Sequence, residues 1–386
     1  MSEASSQGVP PEAAVAADFL GGQKLEDGIG LCLSGGGFRA MLFHLGAFVR
    51  MNELGLLAKL DRVASVSGGS LAAGALAVAW DLLTFDQNGI ATNLTERVAE
   101  PILTLSRKYI DIPAIALGFL PFVHASGVAA LAYDYWLFRG KTLQDLPQRP
   151  RFSFTATSLQ SGVLWRFARD YAADYRVGMW RVPTLRLAPV VAASASFPPY
   201  LSPTYIDVPP GALKPENGSD LRCEPYTTQL CLTDGGVYDN LGLEPVWKRY
   251  RTILVSDGGA ITPPSIAPRS NWLSQAVRAS NIALQQGVNM RRRVLFGLER
   301  TGERRIAYWG IGEPVASYGV GNELGFTAEQ TKHAAEVATR LTKYTLDTRV
   351  NIIRAGYAHA DAALRASRIP LPNNTKPDFS GLPVVR

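Results

Sequence analysis

The chain is poor in the two side chains that most often betray a metal centre or a catalytic triad. Its 386 residues include 3 cysteines and 4 histidines. Cys32, Cys223 and Cys231 form an odd set without C-x-x-C spacing, which argues against a disulfide framework and a zinc site. Cys32 falls in an apolar run and reads as a buried thiol, while Cys223 and Cys231 flank a polar stretch and have a pairing open to them. None of His44, His124, His333 and His359 follows a strand at a turn, where the histidine of a Ser-His-Asp triad commonly sits. His44 reads as a packing residue of the first helix. His333 and His359 read as residues of a C-terminal helix that face solvent or satisfy a core contact.

Long unbroken apolar runs are missing too. Residues 112–133 carry no formal charge, yet Pro113, Gly118, Pro121, His124 and Gly127 break them into pieces too short to span a bilayer. A buried core segment, or a lid or surface that touches lipid, fits this stretch better than a membrane span. Residues 1–22 lack the basic and apolar regions of a secretory signal, so residues 1–24 read as a poorly ordered lead-in and a cytoplasmic location is the default expectation. No zinc-finger spacing, RNA-binding signature or basic-aromatic interleaving occurs, which speaks against nucleic acid as a partner. The composition is globular, 47% hydrophobic and 19% charged, with a formal net charge of +6. That mild basic excess suits an anionic surface. The longest basic run, Arg291-Arg292-Arg293, reads either as a solvated helix face or as part of such a contact.

What the chain does have is glycine at strand ends. Residues 29–34 are an apolar run feeding Gly35-Gly36-Gly37-Phe38-Arg39-Ala40 and a helix that ends near Leu54. Residues 62–66 are a second such run, feeding Ser67-Gly68-Gly69 and an apolar helix over 71–80. Two strand–turn–helix units within about forty residues match the length of a βαβ crossover. Strand patterns return at 152–157 and 164–167, at 230–233 before Asp234-Gly235-Gly236, at 252–256 before Asp257-Gly258-Gly259, and as a pair around 305–309. Helical patterns occupy 185–195, the region holding Trp272, Val277 and Ile282, and one long segment from 327 to 366. Strands alternating with helices, and glycine turns at strand ends, predict a mostly parallel sheet with helices on both faces in one domain over 25–386. Within it, 84–148 reads as a helical apolar insertion or lid and 207–230 as a loop insertion.

The glycine cluster alone satisfies G-x-G-x-x-A after a strand, so a dinucleotide site is a rival. That rival needs an acid at the end of the second strand, where this chain has Ser67-Gly68-Gly69. Ser65-Val66-Ser67-Gly68-Gly69 is close to the G-x-S-x-G elbow, with serine in place of the first glycine, and a small residue is what the sharp backbone there demands. A nest of backbone N–H groups beside an exposed serine suits acyl transfer. With no histidine at hand, an aspartate at a strand end is the available base, and both Asp234 and Asp257 qualify. The plain alternatives are Ser67 as a helix cap and each Asp-Gly as an ordinary turn.

Taken together, Gly35 to Arg39, the box around Ser67, and Asp234-Gly235-Gly236 followed by Asp239-Asn240 resemble the patatin-like phospholipases, in that family's order and over residues 28–260. The chain departs at Ala40 and Ser65, where the family usually has glycine. The resemblance implies a three-layer α/β/α fold and a Ser-Asp dyad that cleaves acyl esters of phospholipids or other lipids. It implies Ser67 as nucleophile and Asp234 as its base. Gly35, Gly36 and Gly37 would form the oxyanion hole, with Arg39 stabilising that loop or a lipid phosphate. Ser65, Gly68 and Gly69 would shape the nucleophile elbow, and Gly235 and Gly236 the Asp-Gly-Gly turn. No metal or cofactor is implied, and the expected partners are a lipid acyl ester and an anionic membrane surface met peripherally. A lipid- or nucleotide-binding regulator with a silent site is the alternative.

Overall fold

Side chains along the first strand alternate between two separate cores, which is what makes the molecule three layers deep. The computed structural model describes residues 25–215, 219–259 and 261–383. The expected lead-in at 1–24 lies outside them, as do residues 216–218 of the 207–230 stretch. In β1 (Glu26–Leu33), Leu31 and Leu33 enter the larger core, while Cys32 enters a smaller one on the opposite face. This is the two-residue period of a strand covered on both sides.

The chain then runs through α1 (Gly37–Glu53), β2 (Arg62–Val66), α2 (Gly68–Ala79), α3 (Glu100–Leu105), α4 (Asp111–Leu117) and α5 (Ala125–Tyr133). Next come β3 (Arg151–Ser158), β4 (Leu164–Ala168), β5 (Tyr171–Asp174), β6 (Gly178–Arg181), α6 (Leu187–Ser194), β7 (Thr204–Asp207) and β8 (Leu213–Lys214). The last elements are β9 (Gln229–Asp234), α7 (Gly236–Asp239), β10 (Tyr250–Asp257), α8 (Trp272–Arg300), β11 (Arg305–Gly310), α9 (Ala328–Glu336) and α10 (Leu346–Ala366).

The described residues build one 11-stranded sheet whose spine runs β11-β10-β1-β2-β3-β4-β5-β6-β8. From β11 to β3 every pairing is parallel, and β10, β1 and β2 carry glycine turns at their C-terminal ends. Beyond β3 the sheet continues antiparallel. On one face α1 and α2 pack into the larger core together with α10. A close crossing buries α1 from both sides: a Cβ on Gly356 would stand 1.8 Å from the Phe43 carbonyl oxygen. The other face is covered by Leu241, Leu243 and Val246 and by Val288 and Leu295 of α8.

Two local expectations change. The single helix over 327–366 is two, α9 and α10. Between them the carbonyls of Val337 and Arg340 accept from Arg39 Nη1 and the Phe38 N–H instead of from the next helical turn. The strand pair around 305–309 is one strand, β11, at the sheet edge. The four-residue strands β5 and β6 fill a stretch too short and too mixed in polarity to show a period. All three cysteines are free thiols, with Cys32 buried and Cys223 exposed.

Candidate active site

The site is assembled along one edge of β3. Its first part pairs with β2 in parallel, ending with Val66 opposite Thr155. At the very next residue β9 takes over: Asp234 lies opposite Ala156, and β9 runs antiparallel to β3. β2 and β9 therefore point at each other along a common neighbour. The residue leaving β2, Ser67, and the last residue of β9, Asp234, meet where they end. Thr155 Oγ1 donates to the Ser65 carbonyl at 3.0 Å and Thr157 Oγ1 to the Asp234 carbonyl at 2.9 Å, which locks both ends onto β3.

Ser67 occupies the sharp turn between β2 and α2 with φ 54 and ψ −121, a backbone region that costs a non-glycine residue about 1–3 kcal/mol. Three serines hold it there. The Ser67 N–H donates to Ser194 Oγ at 2.9 Å. Ser194 Oγ shares a proton with Ser70 Oγ at 2.8 Å, and Ser70 Oγ with Ser65 Oγ at 3.0 Å. Ser65 thus gives the elbow a small side chain and spends its hydroxyl inside the turn. The C-terminus of α6 and the loop after it also hold the aspartate, because the Ser196 carbonyl accepts the Asp234 N–H at 3.1 Å and the Ser194 carbonyl accepts the Gly235 N–H at 3.2 Å.

Asp234 is 1% exposed. Its Oδ1 accepts the Gly236 N–H at 2.7 Å, whereas Oδ2 has no hydrogen-bond partner of ordinary geometry. Burial pushes the carboxyl up to about 7, opposed by hydrogen bonding from the Ser67 side chain and from the Gly236 N–H. The serine is therefore near enough to stabilise the carboxylate without having closed a full bond to Oδ2. Catalytic hydrogen bonds in unliganded sites are commonly this loose. Tyr133, buried at the end of α5, is held protonated by burial, with Asp234 and Asp111 adding to the effect.

The glycine loop lies against the serine: a Cβ on Gly35 would stand 3.0 Å from Ser67 Cβ. Gly36 has φ 144 and Gly37 φ 60, conformations open to glycine at little cost. Gly35 N–H donates to the Asn240 carbonyl and Phe38 N–H to the Arg340 carbonyl. The N–H groups of Gly36 and Gly37, between them, have no acceptor among the described residues. A Cβ on Gly68 would sit 2.1 Å from the Gly37 carbonyl oxygen, so the serine elbow and the glycine loop can touch only through glycine. The same contact sets the N-termini of α1 and α2 side by side, where their dipoles favour negative charge.

Arg39 does not reach toward the serine. It is 1% exposed, and its guanidinium donates to the carbonyls of Gly258, Ala335 and Val337. Of its two expected tasks, this geometry serves the loop and leaves no donor turned toward a phosphate. Asp257 is also occupied: Oδ1 accepts the Gly259 N–H and Oδ2 accepts from the Tyr308 hydroxyl at 2.6 Å. His44 is fully buried between Ser256 Oγ at 2.7 Å and the Ser34 carbonyl at 2.9 Å, and burial lowers it to about 4. His359 is buried beside Tyr318 and Thr331, and burial lowers it to about 3. Neither is turned to Ser67.

The basic run on α8 is mostly spent on pairing. Arg291 faces Asp239 at 3.2 Å and Glu244 at 3.5 Å, and Arg292 faces Glu313 at 2.6 Å. Arg291 and Arg292 are thus engaged in ion pairs, while Arg293 is exposed. Arg291 instead ties α8 to the short helix that follows Asp234. Sequence reasoning did not assign Ser194 a task, although its setting in the small-residue stretch Ala193 to Phe197 was the available signal.

A family model described as patatin-like phospholipase matches residues 31–247, more than half of the chain. No curated protein sequence matches it. Among solved structures, human GIVD cytosolic phospholipase A2 aligns over 92% of this chain and 65% of its own, with 12% identity and a TM-score of 0.48. VipD from Legionella pneumophila aligns over 89% of this chain and 67% of its own, with 15% identity and a TM-score of 0.39. This chain thus spans just under two thirds of the human structure's length.

Proposed function

Because the chain belongs to the patatin-like phospholipase family, we propose that it is a serine lipid acyl hydrolase working through Ser67 and Asp234. The observation that carries this is the head-on approach of β2 and β9 along β3, which leaves Asp234 Oδ2 buried, unpartnered and beside the serine hydroxyl. A carboxyl that titrates near neutrality is matched to taking and returning a proton at cellular pH.

Ser67 Oγ attacks the ester carbonyl carbon while its proton passes to Asp234 Oδ2. The carbonyl oxygen becomes an oxyanion and is received by the N–H groups of Gly36 and Gly37, with the α1 N-terminus behind them. Collapse expels the alcohol part of the lipid, which leaves with the proton held by Asp234. A water molecule then gives its proton to Asp234 and attacks the acyl-serine, and the fatty acid departs as the proton returns to Ser67. Gly236 N–H on Oδ1 keeps the other carboxylate oxygen turned to the reaction.

The test is fatty acid release from phospholipid and p-nitrophenyl esters by the wild type and by Ser67→Ala, Asp234→Asn and Asp257→Asn. Losses of about 10³-fold or more are expected for the first two variants, as for other residues that act as a unit. Asp257→Asn retains most activity. Loss with Asp257→Asn, combined with full activity of Asp234→Asn, would move the base to the other strand end. Labelling of Ser67 by a fluorophosphonate separates a hydrolase lacking its preferred ester from a silent binding protein.

A further inference from the structure

A hydrolase of membrane lipids has to reach an ester that lies beneath a layer of phosphates. α4 and α5 form a helical hairpin, and from Ile112 to Tyr133 its sequence carries no formal charge. At the bend between the helices Phe119 is 85% exposed, Leu120 53% and Phe122 102%. Phenyl rings held wholly in water forgo the burial that drives folding, and contiguous apolar patches of this kind mark contact surfaces. The hairpin is joined to the site. Ser126 Oγ on α5 donates to the Pro203 carbonyl, and Tyr133 at the end of α5 feels the charge of Asp234.

At the root of the hairpin are two cations with no acid. Arg107, three residues before Ile110, is exposed and has no ion-pair partner among the described residues. Arg349, in the first turns of α10, is 7% exposed, and its Nε and Nη1 are buried without a hydrogen-bond partner. The Tyr344 N–H donation to the Ser106 carbonyl draws the two segments together, and burial lowers the Arg349 guanidinium, with the Arg107 charge lowering it further. A buried guanidinium with open donors beside a second guanidinium is arranged for an oxyanion. The neighbouring Arg340 is already taken by Asp111 at 2.6 Å.

We propose that the α4–α5 hairpin and the Arg107–Arg349 pair at its root form a docking face for an anionic phospholipid bilayer. The apolar bend enters the acyl region, and the exposed Arg107, with the buried Arg349 charge behind it, holds a lipid phosphate at the surface. The scale fits: a helix the length of α4 rises about 10 Å, comparable to the depth at which interfacial apolar groups lie below the headgroups. This rests on the lipid hydrolase function for its purpose, but its test does not depend on turnover.

The Ser67→Ala chain is sedimented with sucrose-loaded vesicles of phosphatidylcholine alone and of phosphatidylcholine mixed with phosphatidylglycerol. Tighter binding to the mixed vesicles, weakening with salt, is expected. Phe119→Ser with Phe122→Ser lowers affinity about 100-fold, each ring counting for about a factor of ten. Arg107→Gln removes the preference for anionic vesicles. All these positions are exposed, and unchanged melting temperatures confirm that the variants fold. Equal binding of the two vesicle types by the parent, or undiminished binding by the double phenylalanine variant, overturns the docking face. A thermal shift by inorganic phosphate that vanishes in Arg107→Gln, without vesicle binding, assigns the pair to a soluble phosphate and also overturns it. If the wild type is labelled at Ser67 by a fluorophosphonate while vesicles are ignored, the hydrolase stands and the docking face falls.

Discussion

Asp234 should make this protein less stable as it becomes more active. In the folded chain burial lifts the carboxyl from its ordinary 3.8 to about 7. The folded state therefore holds this proton more tightly than the unfolded state. The group's contribution to stability is fully present below about pH 4 and is lost as pH rises through 7. A shift of that size corresponds to about 4 kcal/mol for carrying the buried charge at alkaline pH. Asp234→Asn keeps the shape of the carboxyl and cannot ionise. Its melting temperature should match that of the wild type near pH 3, already exceed it by about 2 °C near pH 5, and exceed it by about 5 °C near pH 8.5, taking about 2 cal/mol/K of unfolding entropy per residue. Turnover by the wild type should follow the opposite course, rising with an apparent pKa near 7 because only the carboxylate can accept the serine proton. Calorimetry of the two chains across pH, with kcat/KM for a p-nitrophenyl ester over the same range, tests both halves. A melting difference that does not grow between pH 5 and 8.5, or a rate already at its plateau at pH 5, would refute a desolvated Asp234 as the base.

Other outcomes follow from the same geometry. Ser194→Ala removes the acceptor of the Ser67 N–H, so kcat should fall about 10- to 100-fold with KM little changed, and Ser194→Thr should recover part of it. In Gly68→Ala the new methyl group meets the Gly37 carbonyl oxygen at 2.1 Å; fluorophosphonate labelling of Ser67 should fall by at least about 100-fold, since neither side of the contact can move without spoiling the elbow or the oxyanion donors. Arg39→Met leaves the carbonyls of Gly258, Ala335 and Val337 short of their donors and should cost about 2–4 kcal/mol in urea unfolding. Arg291→Gln should destabilise by stranding Asp239 and Glu244, whereas Arg293→Gln, at an exposed position, should leave urea unfolding unchanged.

The layered α/β architecture, the two strand–glycine–helix units and the membership of Ser67 and Asp234 in special turns were all legible from the chain. Each is a local property. Glycine clusters after apolar runs announce strand ends, and a serine flanked by small residues marks an elbow wherever it folds. The C-terminal helix was misread as continuous for a related reason: its apolar period persists across 337–345, and nothing local reveals that Arg39 and Phe38, some 300 residues away in sequence, claim the carbonyls that would continue it. The basic run on α8 looked solvated because its acids, Asp239, Glu244 and Glu313, are distant in sequence.

What the sequence determined by itself was the inventory: a serine in an elbow, a glycine loop, and two Asp-Gly-Gly turns alike in their own residues, of which the family resemblance pointed to Asp234. What only the tertiary structure supplied was the reason Asp234, and not Asp257, faces the serine. Both end strands, and both are followed by the same two glycines. β9 is the strand laid against β3 directly beyond the end of β2, so Asp234 arrives buried and unpartnered beside Ser67, while Asp257 at the end of β10 is taken up by Tyr308 of the neighbouring β11. Strand order is set by the packing of residues far apart in the chain, and no window of sequence contains it.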